Sequence, residues 1–508
     1  MPDYTQPESD TLFCHDLSTS PRPGAGKVLV TGAMGYIGGR LVPELLARGY
    51  DVRIMVRGPA AEGRERWPGV ETVVADALDP SSLGAALEGI ETAYYLIHSL
   101  LLGPGEFARA DAEAASNFAD AAEEKGVGQI IYLGGLGDVR SDLSEHLRSR
   151  MEVAERLQAG PVPVTILRAA VIIGSGSASY ELIKNLVARM PVMPVPGEID
   201  HLCQPVAIRD VIKYLVGVME AEGTGGSRFD IGGDDIISYR EMLETVADIL
   251  RLKRVFITLP FVNLRHFGYG ASLLTPVPAP LAMSLMEGLK NDVICQDFSI
   301  RAILPFRPLS YRTALVRAMT REEQDRVHTR WSDAYPPAHE LAIKLDELEG
   351  RQMYTASYSL VTEKEAADLF DSICRIGGDE GWFHGNWMWR LRGDFDRVIM
   401  GVGTRRGRRT ARGLEAGDVV DFWRVEQVSP PRRLLLRAEM RLPGKAWLEF
   451  VLEDRGEERK LALTAYYYTD TLFGRLYWYF FLPFHRFIFK GLLRQIESRG
   501  GSSGEGSP

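Results

Sequence analysis

Short apolar runs alternate with helical segments along the first third of the chain. Six runs rich in β-branched residues lie between residues 27 and 172, and segments with apolar residues at helical spacing separate them. Strands that alternate with helices form right-handed βαβ units, so the pattern predicts a doubly wound parallel sheet with helices on both faces. The six predicted strands are KVLVTG, DVRIMVR, ETVVAD, ETAYYLIHS, QIIYLGG and PVTILRAAVI.

The pattern changes after residue 355. Apolar residues there alternate with polar ones over short stretches separated by turn residues, which is typical of antiparallel strands. We predict an α+β domain of six strands, one short helix at 363–378 and a long aromatic helix from Leu472 to about Ile496. The six predicted strands are MYTASYSLV, WMWRLRGDFDR, DVVDFWRVEQV, RLLLRAEMR, AWLEFVLED and KLALTAYYYTD.

These patterns divide the chain into five parts. Residues 1–25 are acidic and lack the apolar run of a signal peptide, so we expect a disordered leader there. The α/β domain follows at 26–330, a charged connector with two prolines at 331–355, and the α+β domain at 356–497. Residues 498–508 are rich in glycine and serine, and we expect a disordered tail.

Composition excludes several classes of function. The chain has 508 residues and a net charge of −9, which argues against a nucleic-acid partner. Its four cysteines are far apart, so the sequence predicts neither a disulfide framework nor a metal site and favours a reducing, cytoplasmic compartment. The stretch LYWYFFLPFHRFIFKGLL contains Pro483, Arg486 and Lys490, and it lacks the ~18 consecutive apolar residues of a membrane-spanning helix.

The strongest chemical signal is a glycine turn between the first predicted strand and the first predicted helix. The turn, TGAMGYIGGR, has three glycines spaced three residues apart. Glycines in this position let backbone N–H groups approach a pyrophosphate, whose charge the helix N-terminus favours. The sequence therefore predicts a dinucleotide site. The predicted cofactor contacts in this turn are Gly32, Ala33, Gly35, Tyr36, Ile37 and Gly38.

The spacing of this turn and the strands downstream resemble the extended and atypical short-chain dehydrogenase/reductases, including NmrA-like members. The second strand ends in Arg57, where NAD enzymes of this kind usually place an acid. An arginine there can bind a 2′-phosphate, so the resemblance favours NADP(H) over NAD(H), and a solvated strand-end charge is the alternative. Asp76 and Ala77 match the family position beside the adenine, and Asn117 matches the family's helix asparagine.

The same resemblance reveals a departure at the expected catalytic pair. The family carries Tyr-x-x-x-Lys, but this chain has His146 and Arg150, and the serine position on the fifth strand reads Gly134 or Gly135. Arg150 keeps donors for ribose hydroxyls, although it will not give up its proton. Because histidine titrates near physiological pH, we predict His146, Arg150 and His98 as candidate catalytic residues, with a structural role for His98 as an equal alternative.

The second domain resembles the START-like (SRPBCC) ligand-binding fold, and the whole arrangement resembles bacterial atypical short-chain dehydrogenases fused to such a domain. The resemblance implies an apolar cavity for a small hydrophobic molecule, with core packing as the alternative role of its tryptophans. The candidate wall residues are Trp382, Trp387, Trp389, Trp423 and Trp447. The C-terminal aromatic helix and the basic run from Arg405 to Arg412 are candidates for peripheral contact with the inner face of a membrane, and a solvated hairpin explains the basic run more simply.

Three functions remain open at this point. The resemblance favours an NADPH-dependent oxidoreductase that reduces a hydrophobic carbonyl or quinone-like small molecule. The altered Tyr and Lys positions fit instead a non-catalytic NADPH-binding sensor or accessory protein, as in the complex I accessory subunit and the NmrA-like sensors of this superfamily. A sugar-nucleotide epimerase is the weakest hypothesis, because it would also use the missing Tyr and Lys.

Overall fold

The computed structural model contains two compact units, each with its own sheet. The first comprises Met1–Thr275 and Pro280–Pro337, and the second comprises Pro276–Ala279 and Ala338–Pro508. The structure describes residues 12–22, 24, 26–57, 63–64, 66–98, 106–137, 144–323, 329–334, 343–348, 350–378, 380–404, 406, 413–455 and 458–500.

The first unit begins with alternating strands and helices, as the sequence pattern predicts. Its elements up to the sixth strand are β1 (Lys27–Val30), α1 (Gly38–Ala47), β2 (Val52–Val56), β3 (Glu71–Val74), α2 (Pro80–Leu87), β4 (Ile90–Tyr95), α3 (Glu106–Glu124), β5 (Gln129–Gly135), α4 (Glu145–Leu157) and β6 (Val164–Ala169). Each of the six predicted strands is therefore present.

Shorter strands and further helices complete this unit. They are β7 (Ile172–Ile173), α5 (Ala178–Arg189), β8 (Val192–Pro196), β9 (Leu202–Cys203), β10 (Val206–Ala207), α6 (Ile208–Glu220), β11 (Arg228–Ile231), β12 (Ile237–Ser238), α7 (Tyr239–Ile249), β13 (Val255–Leu259), α8 (Leu264–Leu274), α9 (Ala279–Glu287), α10 (Ile300–Ile303) and α11 (Tyr311–Glu323).

The main sheet of the first unit is parallel, and its strand order is β11-β6-β5-β4-β1-β2-β3. β1 therefore lies between β2 and β4. Strands β2 and β3 lie on one side of β1, and strands β4, β5, β6 and β11 lie on the other side. Ligands of open α/β sheets bind in the crevice at the carboxyl ends of the strands where the strand order reverses. The predicted doubly wound parallel sheet is confirmed, and the reversal point lies at the glycine turn.

Alternation along the strands separates two apolar cores. Val28 and Val30 of β1 pack on one face with residues of α1 and α6, whereas Leu29 packs on the other face with residues of α2 and α3. This arrangement follows from the two-residue period of a strand. Because both faces are covered, the central strands are largely apolar, whereas the edge strand β3 is partly exposed.

The predicted leader is partly ordered, which corrects the expectation for residues 12–22. Phe13 and Cys14 are buried in the core beside α1. Asp16 forms an ion pair with Lys213 of α6, with 2.6 Å between carboxylate and ammonium. The sequence did not predict this ordered segment, because two apolar residues in an otherwise polar leader form no recognisable pattern. Their contacts with the core reveal it.

The second unit is built on an antiparallel sheet with strand order β14-β19-β18-β17-β16-β15. The long C-terminal helix, α14, packs against β14 and β19. The elements of this unit are β14 (Tyr354–Thr362), α12 (Ala366–Cys374), α13 (Asn386–Val398), β15 (Val419–Val420), β16 (Trp423–Ser429), β17 (Arg433–Ala438), β18 (Lys445–Arg455), β19 (Glu458–Tyr468) and α14 (Leu472–Arg499).

Two of the strand predictions for this unit are wrong in detail. The stretch WMWRLRGDFDR forms helix α13, whose buried residues Trp389, Gly393 and Arg397 follow the four-residue spacing of a helix face. The stretch DVVDFWRVEQV forms two strands, β15 and β16, that pair with each other across a turn at Asp421, whose φ is 56°. A short run of apolar residues is compatible with the spacing of a helix and with that of a strand, so contacts with the rest of the unit decide which element forms.

Arg406 lies in a buried ionic cluster, and this contradicts the expectation of a solvated hairpin at that position. Its guanidinium pairs with the carboxylate of Glu439, which also binds Arg424 and lies 3.6 Å from Arg437. Burial by itself would raise the pKa of Glu439, but the charges of Arg424, Arg406 and Arg437 lower it to about 2. The carboxylate therefore stays ionised and holds three arginines together.

Several predictions concern residues outside the described part of the chain. They are the leader residues 1–11, the tail residues 501–508, and Arg405, Arg408, Arg409 and Arg412 of the basic run.

The Glu439 cluster predicts a strong loss of stability in Glu439→Gln. Removing one partner of a buried ion pair typically costs ~3–5 kcal/mol, and here it would leave three guanidinium groups without their shared anion. We expect a decrease of this size in the free energy of unfolding, measured by urea denaturation at pH 7. Because folding lowers this pKa from 4.5 to about 2, the contribution of Glu439 is present above pH 4.5 and is lost as the pH falls towards 2.

The matched control is Glu453→Gln, which removes the half-exposed partner of Lys460. A surface pair contributes ~1 kcal/mol or less, so this change should have little effect. Equal effects of the two substitutions would contradict the stabilising role of the buried cluster.

Candidate functional site

The glycine turn is fixed to the neighbouring strand by Thr31. The Thr31 hydroxyl donates to the backbone oxygen of Tyr94 and accepts from the backbone N–H of Leu96, both at 2.9 Å. Within the turn, the N–H of Gly35 donates to the backbone oxygen of Gly32 at 2.9 Å. The loop between β1 and α1 therefore has a defined shape that positions the start of α1 over the carboxyl ends of β1 and β4.

Two of the glycines are required by the geometry of the turn. Gly32 has a φ of 60°, and a Cβ there would lie 2.7 Å from the backbone oxygen of Leu96. A Cβ on Gly38 would collide with the backbone oxygen of Gly32. The first turn of α1 has no acidic side chain and no side-chain cap on its N–H groups. The close approach of the backbone and the absence of a carboxylate in the first turn fit a pyrophosphate. The N–H groups of Gly39 and Arg40 donate to the backbone oxygens of Gly35 and Ile37.

The other predicted contacts of the turn have different environments. Ala33 is fully buried, so only its backbone can reach a ligand. Ile37 is the residue that precedes α1, and it packs on the core. The ring of Tyr36 lies under the guanidinium of Arg40, 4.3 Å from its centroid, and a Cβ on Gly174 would lie 2.6 Å from its hydroxyl oxygen.

The adenosine end of the predicted site lies at the ends of β2 and β3. Arg57 directly follows β2 and is exposed, and Asp76 acts on it electrostatically. The Asp76 carboxylate accepts the N–H of Leu78 at 3.0 Å, so this residue also shapes its own turn. Asn117 of α3 donates to the backbone oxygen of Ala77 at 3.0 Å, and this bond fixes the loop after β3.

The opposite end of the crevice brings β5 and α4 together. A Cβ on Gly135 would lie 2.9 Å from the side chain of Leu147 and 3.6 Å from Cβ of Arg150. Gly135, one of the two candidates for the serine position, therefore faces the helix that carries the altered pair, and Leu147 leaves little room for a side chain there. A Cβ on the other candidate, Gly134, would lie 3.0 Å from the ring of Tyr132. His146 and Arg150 lie one turn apart on α4 and are both half-buried.

Tyr132 is a positioning residue that the sequence analysis missed. Its hydroxyl donates to the backbone oxygen of Arg150 at 3.2 Å, and the Arg150 guanidinium donates to the Tyr132 oxygen at 3.4 Å. The buried Asp111 adds a favourable charge near Arg150. Burial lowers the pKa of Arg150, but Tyr132 and Asp111 more than offset that effect. No local spacing signals these contacts, because Tyr132 and Asp111 come from other elements.

Two histidines and two arginines influence one another in this crevice. Burial and the charge of Arg150 lower the pKa of His146 to about 3. Burial, Arg150, His146 and Arg57 together lower the pKa of His98 to about 3. The side chain of His98 also retains exposure to solvent. Burial and the nearby cation both disfavour the imidazolium form of His146, so the neutral ring is favoured at physiological pH.

An apolar cavity begins close to the end of β6. Val171, two residues beyond β6, is part of its lining, and the other lining residues come mainly from α5, α7 and the β8 region. Among the lining residues are Leu182, Leu186, Met193, Met242, Met286 and Leu289, with Ser179 and Tyr239 as polar members. The first unit thus contains an apolar cavity of its own.

The five tryptophans do not form a single wall. Trp382 stacks on Trp389 at 4.3 Å between ring centroids, and Trp423 lies beside Trp382 at 6.1 Å. Trp447 belongs to a separate cluster with Leu348 and Leu435. Trp387 is 67% exposed, so its assignment to a cavity wall is wrong.

No helix among the described residues is long and apolar enough to cross a membrane. No group of three or more His, Cys, Asp or Glu side chains in that part of the chain could hold a metal ion.

Each of the two units matches a different protein family. Residues 32–187 match the NAD(P)H-binding family, and residues 350–492 match a family described as a protein of unknown function, DUF2867. The first match covers the glycine turn, the crevice and helix α4. The second covers most of the antiparallel sheet and the C-terminal helix.

Curated relatives and solved structures cover the first unit. The chain is 24% identical to a mitochondrial NADH dehydrogenase [ubiquinone] 1 alpha subcomplex subunit 9 of Arabidopsis thaliana, over 54% of this chain and 71% of that protein. It is 25% identical to a ceramide reductase of Caulobacter vibrioides, over 46% and 74%. Among solved structures, the triphenylmethane reductase of Citrobacter sp. complexed with NADP(H) is 18% identical, with a TM-score of 0.46, over 57% of this chain and 99% of that chain.

The geometry and the family match agree on the first unit. Its glycine turn has the close backbone approach that a dinucleotide requires, and the matched family binds NAD(P)H. The predicted resemblance to atypical short-chain reductases is confirmed for this part of the chain. The first unit is an NAD(P)H-binding domain of Rossmann type.

Proposed function

We propose that the protein is an NADPH-dependent oxidoreductase that reduces a hydrophobic carbonyl or quinone-like small molecule. The observation that carries the proposal is the arrangement of charged groups along one crevice. Arg57 lies at its adenosine end, the glycine turn at its centre, and Arg150 with His146 at the far end beside Gly135. The ceramide reductase among the relatives supports a reductive reaction on a lipid-like substrate.

Each residue of the crevice has a defined task in this proposal. The N–H groups at the start of α1 would bind the pyrophosphate, and Arg57 would bind a 2′-phosphate, which is the reason for preferring NADPH. Arg150, held by Tyr132, would donate to the ribose hydroxyls. When bound, NADPH supplies a hydride to the carbonyl carbon, and the carbonyl oxygen gains one proton.

The source of that proton is the main departure from the related enzymes. With a pKa of about 3, His146 is neutral at pH 7, so it can donate an N–H hydrogen bond but does not act as a strong acid. The fixed cation of Arg150 would stabilise negative charge that develops on the substrate oxygen. We propose that water in the cleft delivers the proton, with His98 and His146 orienting it.

The cavity near β6 supports a hydrophobic substrate. Its lining is almost entirely apolar, and it begins two residues beyond the strand whose loop borders the nicotinamide site in related enzymes. An apolar chain or ring attached to the carbonyl would fit there, whereas a sugar nucleotide would leave its polar groups without partners. This favours a hydrophobic substrate over the sugar of an epimerase.

For the second unit we propose a START-like ligand-binding role. An antiparallel sheet with a long C-terminal helix packed on β14 and β19 is the arrangement of that fold. Its matched family is described as having unknown function, so the proposal rests on the architecture. We propose that this unit receives the same hydrophobic molecule.

A second candidate function is a non-catalytic NADPH-binding accessory protein. Two observations favour it: the relative from Arabidopsis thaliana is named as a subunit of NADH dehydrogenase, and neither His146 nor Arg150 is an efficient proton donor. In that case Arg150 and Tyr132 would hold the cofactor without turnover. The turnover experiment below distinguishes the two functions.

The preference for NADPH predicts a selective defect in Arg57→Ala. The variant should bind NADPH about tenfold or more weakly, because one charge-assisted contact to the 2′-phosphate is lost, and it should bind NADH almost normally. Calorimetry with both cofactors measures the difference. Arg156→Ala, which removes an exposed arginine of α4, is the control and should change neither affinity. An equal loss of affinity for both cofactors would show that Arg57 does not bind the 2′-phosphate.

The oxidoreductase proposal predicts NADPH oxidation with at least one member of a panel of hydrophobic aldehydes, ketones and quinones. Arg150→Met should lower kcat about a hundredfold through loss of charge stabilisation, whereas Arg150→Lys, which restores the family residue, should retain most activity. The control is Arg148→Met, an exposed arginine on the same helix. Tight NADPH binding without turnover on any panel member would favour the accessory function.

The depressed pKa of His146 predicts that its imidazole stays neutral between about pH 5 and 8 in the cofactor-free protein. Its ring proton signals in NMR should not shift over that range, and His146→Ala identifies them by their disappearance. Because folding lowers this pKa from 6.5 to about 3, the neutral ring favours folding fully above pH 6.5 and less as the pH falls towards 3. A midpoint near 6.5 would contradict the role of Arg150 and of burial.

A further inference from the structure

Helix α14 has an apolar face that is exposed along its first four turns. The residues on this face are Leu472, Phe473, Leu476, Tyr479, Phe480, Phe484 and Phe487, and their exposed fractions range from 47% to 73%. They recur every three or four positions, as one helix face requires. The opposite face, with Trp478, Phe489 and Leu492, is buried. The exposed side chains are therefore not the face that holds the helix on its sheet.

Helix α13 presents a second exposed apolar face in the same unit. Trp387, Leu391, Phe395 and Val398 are between 56% and 67% exposed and follow helical spacing. His384 lies just before α13, and its ring is 5.0 Å from that of Phe487 and against Gly491 of α14, so the start of α13 lies beside α14. We call the residues of these two faces the aromatic surface. Soluble monomers rarely expose contiguous apolar patches of this extent without a binding function.

The charge of α14 identifies the kind of partner. Between Leu472 and Gln495 the helix contains four basic residues and no aspartate or glutamate. Arg475, Arg486, Lys490 and Arg494 are all exposed. A helix that combines Phe, Leu, Tyr and Trp with exposed Lys and Arg fits the interface of an anionic bilayer, where the apolar face enters the acyl region and the cations meet lipid phosphates.

A second copy of the chain fits this surface less well. In a two-fold symmetric contact the same patch meets itself, so four cations of one helix would face four of the other. Such like-charge contacts oppose association. An anionic lipid surface supplies the opposite charge along the whole helix.

We propose that the aromatic surface docks the protein on anionic phospholipid membranes, with α14 lying in the plane of the interface. No helix of the described residues can span a bilayer, so this contact is peripheral. The proposal concerns the second unit alone and does not depend on the reductase activity. It extends the membrane contact that the sequence indicated from the C-terminal helix to α13 as well.

The test is sedimentation of the full chain with vesicles of phosphatidylcholine alone or with added phosphatidylglycerol. We expect binding to the phosphatidylglycerol vesicles, weak binding to phosphatidylcholine, and weaker binding at high salt. The double variant Phe480→Ser with Phe484→Ser should partition roughly a hundredfold less, since each buried phenylalanine contributes about a tenfold factor or more. Arg486→Glu with Lys490→Glu should abolish the preference for phosphatidylglycerol.

The control is Phe261→Ser, which removes a fully exposed phenylalanine of the first unit and should leave binding unchanged. Circular dichroism and NADPH affinity report whether each variant is folded. A chain that stays in solution with phosphatidylglycerol vesicles overturns the proposal, as does a folded double serine variant that sediments like the parent. Light scattering that shows a dimer in the parent and a monomer in the double serine variant would assign the surface to a second copy instead.

Discussion

The first unit depends on the close approach of helix α1 to the end of strand β1. This approach requires that Gly32 and Gly38 have no side chains, because a Cβ at either position would meet a backbone oxygen. Thr31 fixes the same turn to β4 through two hydrogen bonds. The N-terminus of α1 is thereby aimed at the crevice where the strand order reverses, and the residues of the cofactor site take their positions from it.

The chemistry proposed for this crevice depends on Arg150. Burial, together with the fixed charge of Arg150 that Tyr132 holds in place, lowers the pKa of His146 and of His98. A tyrosine and lysine pair supplies a proton directly, whereas an arginine and a neutral histidine supply charge stabilisation and hydrogen bonds. We therefore propose that Arg150 keeps the task of holding the cofactor and that water in the cleft delivers the proton.

In the second unit, charged side chains are buried in the interior, and large apolar side chains are exposed on the surface. Inside, Glu439 holds three arginines in a buried cluster, and two aromatic clusters pack around Trp382 and Trp447. Outside, α13 and α14 expose large apolar side chains beside basic ones. A chain that could bury these residues in its own core would gain stability by doing so, so their exposure is consistent with use in binding.

The sequence by itself determined the parallel sheet, the dinucleotide turn and the replaced catalytic pair, because strand periodicity and glycine spacing are local properties. It also located the antiparallel domain and its C-terminal helix. Only the tertiary structure decided that residues 12–22 are ordered, that Arg406 is buried, that Trp387 is exposed and that His146 is neutral. Each of these depends on residues distant in the chain: burial and charge act through space, and a local pattern does not record which side chains will lie nearby.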